Sequence, residues 1–202
     1  MKTYEYDGAP FSEPRSHPWV GSASDPSARH YDFTASPELI RSALEDFVPF
    51  RRYAAVEDFY ALLERVNHPK SSLESADCAF NAPGPNETRL VKAELECSGR
   101  LMLLYRDLVL NTRRDRLAWL KSAFHQQLAR LDPKFALGMV GTTLVPVRYL
   151  ALPEESQAGQ QLLLAFWAYG STEDDVMQNV GRLFRNLTQA MRGVSARIVV
   201  GD

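Results

Sequence analysis

Only two cysteines, Cys78 and Cys97, occur in the 202 residues. A small secreted domain held by disulfides carries more, at tighter spacing. No run of about 18 apolar residues is present, so no helix is expected to cross a membrane. The first residues, Met1 to Gly8, lack the apolar stretch of a signal peptide. These absences together make the cytoplasm the expected location. Positive charge is not in excess either, since the formal net charge is -2. Nucleic-acid binding draws on Lys and Arg to displace counterions, so neither nucleic acid nor a membrane surface is an expected partner.

Motifs for cofactor and metal chemistry are also missing. No Gly-rich phosphate loop follows a strand, because Gly138-Met139-Val140-Gly141 is only a glycine-containing strand entry. The four histidines, His17, His30, His68 and His125, are far apart, and neither His-x-x-x-His nor Cys-x-x-Cys occurs. No cofactor and no metal are expected. Cys78 lies in Glu74-Ser75-Ala76-Asp77-Cys78, where acidic neighbours disfavour the thiolate that nucleophilic catalysis needs.

What remains is ordinary globular material, with 45% hydrophobic and 24% charged residues. Residues 1–35 read as an irregular arm, punctuated by Pro10, Pro14, Pro18 and Pro26, with Gly8 and Gly21 between. The aromatics Tyr4, Tyr6, Phe11, Trp19, Tyr31 and Phe33 suit an extended segment laid over the domain or over a partner. Residues 36–202 read as a single domain. Ser36-Pro37-Glu38 signals a helix start, and Leu39, Ile40, Ala43, Leu44 and Phe47 repeat at helical spacing. A second helix is expected at about 55–66. Residues 67–88 read as a long polar connection.

A hairpin is then expected, in which Val91, Ala93, Leu95 and Cys97 alternate with charged residues, Ser98-Gly99 turns, and 101–108 returns. A helix opening at Thr112 has the stripe Leu117, Leu120, Phe124, Leu128 and Leu131. A second pair of strands follows at about 139–150 and 162–169. Pro146 puts the first of these at an edge or on a bulge. The signal Gly170-Ser171-Thr172-Glu173-Asp174-Asp175 opens a last helix whose stripe is Val176, Val180, Leu183, Phe184, Leu187, Met191 and Val194. A short terminal strand is expected at Ile198-Val199-Val200. The fold class is therefore α+β, an antiparallel sheet built from two β-β-α units (β-β-α-β-β-α), preceded by two short helices and an extended N-terminal arm. In the core, Leu183, Phe184 and Leu187 should meet Leu104 and either Leu164 or Phe166, with Arg182 exposed on the far side of the helix.

Four residues are candidates for ligand contacts. Arg106 ends an apolar strand and Arg148 lies between Val147 and Tyr149, so either could present a guanidinium to a carboxylate. Cys78 and His125 complete the set, Cys78 as a small thiol in the long connection and His125 beside an apolar helix stripe. No catalytic residue is expected. The aromatic arm, the long connection and the lack of catalytic motifs point to a protein-binding module of immunity, adaptor or chaperone-like type, without catalytic activity. Its partner would be another protein or a second copy of the chain. The alternative is a small-ligand-binding protein or enzyme with a pocket between sheet and helices.

Overall fold

The computed structural model describes residues 1–6, 15–20, 31–44 and 49–200. Phe11, His30 and Phe47 lie outside the described residues, as do Gly8, Pro10, Pro14, Gly21 and Pro26.

The second expected pair of strands forms. Gly138–Tyr149 (β6) and Ala158–Gly170 (β7) pair antiparallel, Val140 opposite Phe166 and Thr142 opposite Leu164. Leu95–Tyr105 (β5) pairs antiparallel with the other side of β7, and Leu73–Phe80 (β3) pairs antiparallel with β5. Gly84–Pro85 (β4) adds a short antiparallel rung to β5. Two pieces of the arm join the opposite end. Lys2–Glu5 (β1) and Arg15–His17 (β2) both run parallel to β6. The sheet thus has seven strands in the order β1-β6-β7-β5-β3, with β2 also on β6 and β4 also on β5.

The fold is α+β, but the sheet is mixed, and this corrects the expected antiparallel β-β-α repeat. The parallel pairs are those of β1 and β2 with β6, and the first expected hairpin fails for two physical reasons. Ser98-Gly99 is not a turn, because β5 runs straight through it. Gly99 is required by close packing: a Cβ there would lie 2.3 Å from the Ala79 carbonyl oxygen and 2.4 Å from Cζ of Phe166. A glycine that admits a neighbouring chain looks, in sequence, like a glycine that turns. The strand that does pair with β5 is β3, inside the stretch expected to be a polar connection. A register shift between Ser75 and Asp77 breaks its alternation. The arm is not uniformly irregular either, since β1 and β2 supply short edge strands. They pair with β6 at Met139–Thr142 and at Val147–Tyr149, on either side of Pro146, which has no N–H to contribute.

Four α-helices are present among the described residues: Leu39–Ser42 (α1), Ala54–Val66 (α2), Arg114–Leu131 (α3) and Glu173–Val200 (α4). The start of α4 is a reciprocal cap. The Asp175 amide donates to Thr172 Oγ1 at 3.1 Å, and the Thr172 amide donates to Asp175 Oδ2 at 3.2 Å. The helix runs on through Ile198, so the expected terminal strand is absent and helix stands in its place. Its stripe from Val176 to Val194 is buried as the periodicity predicts.

Helix α4 packs against α2, α3 and β7. Phe184 meets Phe59 at 4.8 Å and Phe166 at 5.1 Å between ring centroids. Leu164 shares this core, but Leu104 does not: it lies on the other sheet face with Val147 and Tyr149. Leu101 and Leu103 take the helix side of β5 instead. This is the one-residue ambiguity inherent in a period of two. Arg182 is half exposed yet engaged, donating to Asp132 Oδ2 at 2.7 Å and Oδ1 at 3.0 Å. No helix among the described residues is long and apolar enough to cross a membrane.

Candidate functional site

The helices cover one face of the sheet. The other face carries no α-helix among the described residues, and the strand registers determine what it presents. Met102, Val145 and Leu163 form one small apolar cluster there, and Leu104, Val147 and Tyr149 another. Register places Glu74 beside Leu104, Asp77 beside Met102, and Arg15 and His17 beside Val147 and Tyr149, all on this same face.

β2 and β3 lie at opposite ends of the strand order, with β6, β7 and β5 between them. Their side chains nevertheless meet. Arg15 Nη1 is 3.0 Å from Asp77 Oδ2, and His17 Nε2 is 3.4 Å from Glu74 Oε1. The sheet therefore curls until its two edges are bridged by side chains, with the apolar clusters beneath. Asp77 also accepts from Arg100 Nε at 3.2 Å, and Glu74 Oε2 lies 3.9 Å from Arg106 Nε. Low exposure, from 12% for His17 to 18% for Asp77, limits solvent screening of both bridges. Arg15 stacks over Trp19 with its guanidinium carbon 4.8 Å from the ring centroid.

Next to these bridges the face is aromatic. Tyr4 lies 5.9 Å from Tyr6 and 6.0 Å from Trp167 between ring centroids. Its ring covers Gly141, where a Cβ would come within 2.8 Å of Tyr4 Cζ. Burial, reinforced by Tyr6 and Tyr169, pushes the Tyr4 hydroxyl up to about 12. Tyr6 and Tyr169 are raised too, chiefly by burial. Tyr169 also shares a 3.0 Å hydrogen bond with Thr88 Oγ1, which in turn donates to Glu96 Oε2 at 2.7 Å. Trp167, Tyr4, Tyr6 and Arg100 are each half-buried, so this end of the face remains accessible.

The four candidates named from the sequence occupy separate places. Arg106 clamps the end of α2: its Nη2 donates to the carbonyls of Asn67 and His68 at 3.3 and 3.1 Å, and its Nη1 to that of Pro69 at 3.1 Å. Arg148 is 59% exposed and donates to Gln157 Oε1 at 2.6 Å. Cys78 points to the helix side, where burial followed by the charge of Asp77 pushes its thiol up to about 12. Cys97 is buried and likewise raised by burial, its Sγ donating to the Asn81 carbonyl. His125 lies on α3, with a buried Nδ1 that has no hydrogen-bond partner among the described residues. Of the four, Arg106 is the one that faces a bridging carboxylate, that of Glu74.

Sequence reasoning does not single out Arg15, His17, Glu74, Asp77 or Arg100 as site residues. Their signal is present but faint. Arg15 and His17 are two apart, the spacing of one strand face, inside a proline-rich segment. Among the described residues no cluster of three or more His, Cys, Asp or Glu could hold a metal ion. No protein-family model matches the chain, and comparisons with curated proteins and with solved structures give no match.

Proposed function

We propose that the chain is a cytoplasmic protein-binding module without catalytic activity, of adaptor, immunity or chaperone-like type, and that its partner engages the accessible end of the helix-free face. The supporting observation is the grouping of Tyr4, Tyr6 and Trp167 beside Arg100 on a half-buried surface. Aromatic and arginine side chains dominate binding energy at protein interfaces, because they bury large rigid areas at small entropic cost. Burial raises both thiols above their ordinary range, which disfavours the thiolate that cysteine chemistry needs.

A photo-crosslinking residue placed at Trp167 in the native host tests the proposal, with one at the exposed Gln126 of α3 as control. The expected result is a discrete protein adduct from position 167, absent from position 126 and diminished by Arg100→Glu. No adduct from 167, together with a small molecule retained in native mass spectrometry and lost on Trp167→Ala, would establish the small-ligand alternative instead.

A further inference from the structure

Strand β2 is held to the sheet in two different ways. Along β6 the hold is backbone: Arg15 to His17 register with Val147 to Tyr149, and the Leu150 amide donates to the His17 carbonyl at 2.9 Å. Toward β3 no backbone pairing is made among the described residues, and two charged bridges, Arg15–Asp77 and His17–Glu74, span the junction. The bridges differ in one respect. A guanidinium keeps its charge at any accessible pH, whereas an imidazole is the side chain that ordinarily gains and loses charge between about pH 5 and 8.

Several groups surround His17. Glu74 of β3 is its ionic partner, and the ring of Tyr149 on β6 lies 5.9 Å away. Arg106, just past β5, faces the other oxygen of Glu74 at 3.9 Å. Arg15 is two residues away on the same strand face and is engaged by Asp77, which Arg100 shares. A protonated His17 therefore gives Glu74 a cation at each oxygen. A neutral His17 leaves the carboxylate with the charge of Arg106 and without that of the imidazole.

We propose that β2 is a proton-operated clasp: with the imidazole of His17 protonated, its ion pair with Glu74 holds β2 against β3 and keeps the curled sheet shut, and loss of that proton to solvent loosens the strand. Of the two bridges, Arg15–Asp77 then keeps its charge and His17–Glu74 does not. Opening would uncover the helix-free face, a consequence that rests on the binding role proposed above. The clasp itself does not depend on that role, and the following experiment reads it alone.

Hydrogen exchange of the Leu150 amide in the full chain is compared at about pH 5.5 and about pH 8, after correction for the intrinsic rate. Protection is expected to fall about tenfold at the higher pH. His17→Gln and Glu74→Gln should each abolish that dependence. The Tyr169 amide, which donates to the Leu137 carbonyl at 3.0 Å far from the clasp, should behave alike in all three proteins. Protection at Leu150 that is independent of pH in the parent chain, or that varies with pH equally in His17→Gln, overturns the proposal. Should Glu74→Gln fail to fold, His17→Gln by itself distinguishes the two results.

Discussion

Phe184 meets Phe166 edge-on, ring centroids 5.1 Å apart and planes at 85°, and Phe166 in turn fills the space a side chain at Gly99 would need. Helix α4, strand β7 and strand β5 are thus locked through two consecutive contacts. Phe184→Ala should cost about 3–5 kcal/mol, because a fully buried ring is lost and Phe59, Phe80 and Phe166 cannot all close the gap. Gly99→Ala should cost about 1–3 kcal/mol by overpacking, since the nearest obstacle is backbone and cannot swing away. Urea unfolding of both variants checks this. A neutral Gly99→Ala would mean that β5 does not run straight beneath Phe166.

Arg106 is the second point on which several elements converge. Its guanidinium donates to the Asn67, His68 and Pro69 carbonyls in the turn that follows α2, and positive charge beside that C-terminal end also complements the helix dipole. Arg106→Ala should lower stability by about 1.5–3 kcal/mol, the range for hydrogen bonds to a charged donor. Arg106→Lys should recover less than half of that, because an ammonium cannot span three carbonyls as a planar fork does. Thermal unfolding followed by circular dichroism measures both. Full recovery by lysine would show that charge alone matters there.

Legibility in the sequence follows the strength of the periodic signal. Helix α4 and the β6–β7 pair are readable because long apolar stripes and a capping signal agree with each other. The first hairpin is not, because Gly99 carries the same letter for a close approach as for a turn. Strand β3 is hidden by its irregularity at Ser75–Asp77, which destroys alternation in an already polar stretch. The side assignment of Leu104 fails for a reason intrinsic to strands, where a slip of one residue exchanges the faces. The bridged edges are unreadable for a different reason: Arg15 and Asp77 are far apart in the chain and meet only because the sheet curls. Arg106 is visible as an unusual charge at a strand end, and its work at α2 is not.

Asp132 and Arg182 supply a pH dependence that can be worked out in sign. Arg182 donates twice to the Asp132 carboxylate, and Asn186 donates once at 3.3 Å. The hydrogen bonds from Arg182 are the main cause holding the Asp132 carboxyl below its usual range. A carboxyl depressed in the folded state contributes stability that is full above its unfolded value, near 3.9, and is lost as pH falls through the folded one. Arg182→Ala should therefore cost about 0.5–1 kcal/mol at neutral pH, a modest amount because Arg182 is half exposed and solvent screens the pair. The gap between the two proteins should narrow as pH drops from about 4 to about 2, since protonated Asp132 no longer needs its partner. Arg182 also lies over Phe135, its guanidinium carbon 4.5 Å from the ring centroid. That contact does not depend on the carboxylate. Urea unfolding across this pH range separates the two contributions: a gap that stays constant into acid would assign the loss to packing on Phe135 and not to the ion pair.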